Sequence, residues 1–287
     1  GYILAALCRE KLGEYEKSQG RIPQIIFLEN HGIFISADTT EEIDVIAKEV
    51  FDAIKKKVAI FPCKEKVDFD EALAETLAPE IRMLYSAEGK AVVKHTAYHD
   101  IIAFARDREA FSPLADSFSP DHIVYCKAHP LYVENKGDET PAELEKAFRS
   151  YTEKNGFKPK IIFVQGVGMF ACGGTKKEAE TASVVFEDAI KIATYAMSFG
   201  GAKHMSGELT AFISNWEVES YRAKVALSGA TGKRLAGKIS IVTGSAQGFG
   251  AGIAEAMIRE GAYVAIADMN IEGAENMAKS LCEKYGR

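Results

Sequence analysis

Paired cysteines are missing from this sequence. Its five, Cys8, Cys63, Cys126, Cys172 and Cys282, lie far apart, are odd in number and form no Cys-x-x-Cys pair. That spacing suits a reducing compartment better than a disulfide framework or a cysteine zinc module, so a cytoplasmic location is expected. Positive charge is not in excess: 35 Lys and Arg stand against 41 Asp and Glu, a net charge of −6. Neither a nucleic-acid nor an anionic-membrane surface is expected from that balance. No apolar run reaches the roughly 18 residues of a membrane span. The opening YILAALCREKL does not read as a signal peptide, because its apolar run is short and is broken by Arg9, Glu10 and Lys11. It reads as the middle of a helix, no Met precedes it, and the chain finishes on another helix, AENMAKSLCEKYGR. Both ends therefore read as cuts in a longer protein.

What is present is a composition ordinary for a globular α/β protein, 47% hydrophobic and 26% charged over 287 residues. It also contains an internal repeat at an offset of 136 residues. PQIIFLENHGIFISADTTEEIDVIAKEVFDAI (23–54) aligns without gaps on PKIIFVQGVGMFACGGTKKEAETASVVFEDAI (159–190), with 11 of 32 positions identical. Each copy spells the same local program. A polar helix ends at a glycine C-cap, Gly20 or Gly156. A short strand (Ile25–Leu28; Ile161–Val164), a glycine turn and a second strand (Ile33–Ser36; Met169–Cys172) follow. A Thr at 39 or 175 then caps a long amphipathic helix. The 55–155 segment between the copies carries its own pattern: helices at Pro79–Ser86 and His99–Arg106, and a strand at Ala91–Lys94. From 176 to about 229 the pattern is helical. The Gly- and Ser-rich SGATGKRLAG (228–237) is the best domain boundary.

After that boundary, KISIVTGSAQGFGAGIAEAMIREGAYVAIADMN has the order of a mononucleotide-binding unit. Ile239–Val242 is a buried-strand pattern. Gly244, Gly248 and Gly250 follow, then a helix patterned Ile253, Met257 and Ile258 and closed by Gly261. Tyr263–Ala267 forms the second strand, and Asp268 ends it. Glycines without Cβ let a pyrophosphate approach the backbone, and the helix N-terminus offers free N–H groups. A carboxylate ending the second strand can reach adenosine ribose hydroxyls and repels a 2′-phosphate, so Asp268 points to NAD over NADP.

The spelling TGSAQGFG resembles the short-chain dehydrogenase/reductase family over residues 237–287. The resemblance implies that Thr243 buttresses the turn and that Ser245, Gln247 and Phe249 line the cofactor edge beside Gly244, Gly248, Gly250 and Asp268. The family's catalytic Ser and Tyr-x-x-x-Lys come later than the second strand, beyond residue 287. Tyr221-Arg-Ala-Lys224 is one residue short in spacing and precedes the glycine turn, so a solvated helix edge is its natural reading.

In the first repeat the turn reads Asn30-His31-Gly32, a strand-terminal His followed by Gly, which is a sensible metal-ligand position. The stretch 25–54 resembles the C-terminal part of the class II aldolase/adducin fold. In its enzymes that histidine is one of three zinc ligands, and zinc polarises a ketose carbonyl. The resemblance makes His31 the zinc ligand here, with the family's His-x-His and acid/base Glu expected ahead of residue 1. The second copy places Val167 where His31 stands and is expected to be a non-catalytic duplicate. His129 in KAHP is similar to the family's HxHP, with Lys127 in place of its first histidine. His95 and His99 are weaker candidates, because KAVVKH reads as a strand ending near His95.

The order of parts resembles the bifunctional rhamnulose-1-phosphate aldolase/short-chain dehydrogenase family, as does NWEVESYRAKVA before the boundary. The expected architecture is α/β. An aldolase-like region with an internal repeat occupies 1–60 and a degenerate second unit 61–230. The first βαβα of a doubly wound Rossmann sheet occupies 231–287. The resemblance implies cleavage of a 1-phosphoketose to dihydroxyacetone phosphate and lactaldehyde, and NAD-dependent oxidation or reduction of the small aldehyde. A homo-oligomer acting on a sugar phosphate and an aldehyde is expected, with no nucleic-acid or membrane partner. This piece alone should catalyse neither reaction. Two competing readings are a dehydrogenase carrying a non-catalytic, adducin-like scaffold and a degenerate dehydrogenase domain that serves as an NAD-binding sensor.

Overall fold

The computed structural model describes residues 2–86, 91–215, 233–236 and 238–286. Tyr221 to Lys224 and positions 228–232 of the boundary run lie outside these described residues.

The second repeat sits in a three-layer α/β/α unit. Its sheet has the order β3 (Val92–Thr96), β6 (Gly168–Gly173), β5 (Ile161–Val164), β4 (Leu131–Val133). β3 and β5 flank β6 antiparallel, and β4 runs parallel to β5. Every residue of β4, β5 and β6 is buried, because successive side chains feed two different cores. Ile161, Phe163, Met169 and Ala171 point into one core. It is built with α4 (His99–Ala105), α5 (Arg108–Phe111), α6 (Pro120–Cys126) and α8 (Lys176–Ala196). Ile162, Val164, Phe170 and Cys172 point into the other, against α3 (Glu71–Tyr85) and α7 (Thr140–Asn155).

The first repeat folds locally in the same way and packs very differently. α1 (Tyr2–Gln19), β1 (Ile25–Leu28), β2 (Gly32–Ile35) and α2 (Thr40–Lys55) form a helix, a hairpin and a helix. Thr39 accepts from the Glu42 N–H and Thr175 from the Glu178 N–H, each at 3.2 Å, so both caps form as expected. The turns match as well. His31 N–H donates to Leu28 at 3.1 Å and Val167 N–H to Val164 at 3.0 Å. Asn30 and Gly166 take positive φ of 56° and 70°, and Gly32 and Gly168 take 139° and 126°. Yet among the described residues the β1–β2 sheet has two strands only, and α2 has no buried residue. Phe27 and Phe34 are 66% and 61% exposed, while their repeat equivalents Phe163 and Phe170 are fully buried. The hairpin is tied to the larger unit by Asn30, whose amide donates to the Phe118 carbonyl at 3.0 Å.

Three elements depart from the sequence expectation. The helix expected at Pro79–Ser86 begins at Glu71, because Asp70 caps it by accepting from the Leu73 N–H at 3.0 Å. Pro79 lies inside rather than at the start, and buried Ala74, Leu77 and Ile81 hold the helix across it. The helical run expected from 176 breaks after α8, where Gly200 and Gly201 adopt φ of 94° and 99°, and resumes as α9 (Gly207–Asn215). The strand read at Ala91–Lys94 runs from Val92 to Thr96, which places His95 in it and His99 at the start of α4.

The final unit is β7 (Ile239–Thr243), α10 (Gly248–Arg259), β8 (Tyr263–Ala267) and α11 (Ile271–Tyr285), with β7 and β8 parallel. Ala254, Ile258 and Leu281 form its small core beneath the strands. No helix among the described residues is long and apolar enough to cross a membrane.

Candidate nucleotide site and the strand-end histidine

β7 delivers the chain into a turn that needs its glycines for different reasons. Gly244 and Gly248 take φ of 62° and 61°, a region that L side chains rarely occupy. Gly250 has an ordinary φ but no room: a Cβ there would lie 2.0 Å from the Gly244 carbonyl oxygen. The first turn of α10 therefore rests directly on the end of β7. That turn holds no acidic residue, and Gln247 at the N-cap makes no side-chain capping bond. Uncapped N–H groups and the positive end of the helix dipole are what an anionic pyrophosphate requires. The residues present fit a dinucleotide.

Asp268 lies at the end of β8 and reaches back across the turn. Its carboxylate accepts from the Ala246 N–H and the Asn270 N–H, each at 3.0 Å. Those amides, Asn270 first, hold it below the usual carboxylate range, so it is an anion at neutral pH. It thus clamps the glycine turn to the second strand as well as presenting charge at the strand end. Ser245 does a related job. It is fully buried, its hydroxyl donates to the Val242 carbonyl and its oxygen accepts from the Ala267 N–H at 3.1 Å. Sequence reading placed Ser245 on the cofactor edge, whereas its hydroxyl faces inward and is committed to the two strands. Thr243 ends β7 opposite Ala267. Gln247 is exposed, Phe249 is 96% exposed and Met269 wholly so, which makes them the outward face of the turn. Sequence reasoning missed Asn270, which caps α11 by accepting from the Gly273 N–H at 3.0 Å. The signal was an Asn three residues ahead of a small helical residue.

His31 is exposed, with its Nδ1 3.4 Å from the Glu29 carbonyl. Among the described residues no group of three His, Cys, Asp or Glu could hold a metal ion, so His31 alone does not make a zinc site here. The second repeat shows what faces such a turn. Val167 is buried, and its carbonyl lies 3.0 Å from Nε2 of His95 on the neighbouring strand β3. His95 packs between Phe69 and Phe170, and burial pushes its pKa down, so it is neutral. His129 is elsewhere. It precedes β4, whereas the 166–168 turn follows the parallel strand β5, so the two lie at opposite ends of the pair. Its Nδ1 pairs with Asp116 at 2.8 Å. The residue that the fold sets beside the degenerate turn is His95, not His129 of the KAHP stretch.

The geometry thus defines two classes of part in one chain, an α/β/α unit and the opening of a parallel nucleotide-binding sheet. Residues 72–222 match the family model "Aldolase class II, second domain", just over half of the sequence, and the chain belongs to that family. Residues 238–287 match the short chain dehydrogenase model. The uncharacterized oxidoreductase YuxG of Bacillus subtilis is 23% identical over 298 residues, covering 92% of this chain and 42% of the relative. Sorbitol dehydrogenase of Cereibacter sphaeroides is 54% identical over 48 residues, covering 17% of this chain and 19% of the relative. The chain therefore spans less than half the length of these curated relatives. An aldolase II superfamily protein of Pseudomonas syringae aligns over 53% of this chain and 62% of its own, with 17% identity and a TM-score of 0.35.

Proposed function

We propose that the chain is the junction of a two-activity enzyme, an aldolase-type lyase followed by an NAD-dependent short-chain dehydrogenase. The observation that carries the dehydrogenase part is the turn itself. Gly250 is packed onto the Gly244 carbonyl, the N-terminus of α10 is uncapped, and Asp268 is braced across the turn as an anion. In this reading a bound nicotinamide cofactor supplies hydride transfer. The turn's backbone holds its pyrophosphate, and Asp268 meets the adenosine ribose and disfavours a 2′-phosphate.

The lyase part rests on family membership over residues 72–222. Cleavage of a rhamnulose-1-phosphate-like ketose and assembly into a homo-oligomer rest on the resemblance alone. Cytoplasmic location rests on the spacing of the cysteines, and the boundaries 1–60, 61–230 and 231–287 rest on the repeat, the Gly- and Ser-rich run and the resemblance together. His31 is the residue of this chain that would contribute to a metal site. The repeat supports its position, because the edge of β2 that has no partner strand among the described residues corresponds to the edge of β6 along which β3 carries His95. A second reading, a dehydrogenase with a metal-free scaffold in front, is favoured by the lone standing of His31 among the described residues.

The test is titration of the chain with NAD, NADP and their reduced forms by calorimetry, and assay of both reactions. The proposal expects NAD to bind more tightly than NADP, with the preference narrowed in Asp268→Ala, and no turnover by this chain alone. Equal affinity for NADP and indifference to Asp268→Ala would remove the NAD assignment. Measurable turnover would remove the claim that it is a junction only. Zinc analysis of the longer protein with and without His31→Ala separates the two front-half readings.

A further inference from the structure

Four separate pieces of chain meet at a cavity of about 220 Å³ that no residue of the glycine turn lines. The loop ahead of α6 brings Asp116, and the stretch entering β4 brings His129. The end of α7 brings Asn155 and Phe157, and one face of α9 brings Thr210 and Ser214. Several of these groups are braced from behind. The Asp116 carboxylate accepts from His129 Nδ1 at 2.8 Å, which leaves Nε2 of the neutral ring as an acceptor. The Ser117 hydroxyl donates to the Ala128 carbonyl at 2.9 Å and the Tyr151 hydroxyl to the His129 carbonyl, so the backbone beside that pair is fixed. The Asn155 amide nitrogen donates to the Tyr151 carbonyl at 2.9 Å, which leaves the amide oxygen to accept. Thr210 is 8% exposed, and its hydroxyl has no partner among the described residues. A buried hydroxyl without a partner costs stability unless something brings it one.

We propose that this cavity is a second binding site, separate from the glycine turn, for a small uncharged compound that carries several hydroxyls. Charge disfavours the alternatives. An anion would meet the Asp116 carboxylate, and a cation against Phe157 would meet the Lys127 ammonium, 5.2 Å from the ring centroid. His129 Nε2 and the Asn155 oxygen accept, and the Thr210 and Ser214 hydroxyls both accept and donate, so the matching group is an O–H. The Phe157 ring gives the carbon skeleton an apolar wall. The volume lies below the roughly 300 Å³ at which pockets for drug-sized ligands begin, which suits a skeleton of about four to six carbons.

The probes are xylitol and the cyclic sugar D-xylose, titrated into the isotope-labelled chain while backbone amide shifts are followed. Xylonate and pentane-1,5-diol serve as the charged and the hydroxyl-poor controls. Saturable shifts should cluster at 128–129, 155–157 and 207–214, and both controls should bind at least roughly tenfold more weakly. Thr210→Val and Asp116→Ala should each weaken binding roughly tenfold. Thr210→Val should also raise the melting temperature of the ligand-free chain, because it removes the unpaired hydroxyl and keeps the side-chain shape. Greater stability together with lost binding is not expected of a threonine that only packs. No saturable shift with either probe, shifts confined to 244–250, equal binding of xylonate, or undiminished binding in Thr210→Val would each overturn the proposal. Asp116 is half exposed, so Asp116→Ala keeps the test standing even if the valine variant folds poorly.

Discussion

Phe163 and Phe27 occupy the same position in the two repeats, and truncating each should have very different consequences. Phe163 is fully buried, with its ring 5.3 Å from Phe111 and 5.7 Å from Phe186, centroid to centroid. Removing such a ring leaves a cavity among side chains that cannot collapse, so Phe163→Ala should cost about 3–5 kcal/mol. Phe27 is 66% exposed. It therefore hides about a third of a phenyl surface of roughly 200 Å², which at about 25 cal/mol/Å² is under about 2 kcal/mol as an upper estimate. That loss falls on a two-stranded hairpin and should not reach the larger core. Urea unfolding followed by circular dichroism would read the global effect, and amide exchange at β1 and β5 would locate it. Phe163→Ala should shift the main transition and speed exchange in β5, while Phe27→Ala leaves both unchanged. Equal costs, or a larger one at Phe27, would refute the reasoning that packing, rather than membership of the motif, sets a residue's value.

Gly250 and Gly252 make a second matched pair on α10. A Cβ at Gly250 would press on the Gly244 carbonyl, whereas at Gly252 nothing lies within 4 Å. Gly250→Ala should destabilise the last unit by about 1–3 kcal/mol and abolish NAD binding. Gly252→Ala should stabilise the helix by about 0.5–1 kcal/mol, and thermal melts with NAD titration check both. For Asp268, backbone amides hold the folded-state pKa below the unfolded value. Its contribution to stability is therefore present above the usual carboxylate value of about 3.9 and is lost as pH falls through the lower folded value. Exchange of the Ala246 amide should accelerate over that acidic range in the wild type, and Asp268→Ala should exchange fast at neutral pH.

Much of the local structure is legible in the sequence. Thr39 and Thr175 announce their helices because a β-hydroxyl accepts from an N–H three residues on. Gly20 and Gly156 announce helix ends because only a left-handed residue closes them cheaply. The order of strand, glycines, helix and acid from Ile239 to Asp268 is legible because each part has its own local chemistry. What the sequence hid depends on contacts between distant residues. Asp70 outbid Pro79 as the start of α3 because the helix is held by side chains that pack on another layer. Ser245 turned inward because β8 lies 22 residues away with an N–H to satisfy. His95, rather than His129, came to lie beside the Val167 turn because β3 pairs with β6, a pairing no spacing rule reveals.

The repeat separates the two kinds of information most cleanly. Two stretches alike in sequence make the same hairpin turn and the same threonine-capped helix, since those are settled by bonds within a few residues. One of them is buried on both faces of a four-stranded sheet, and the other, among the described residues, is a two-stranded hairpin with exposed phenylalanines. Burial is a property of what packs on an element, and only the tertiary structure supplies those neighbours.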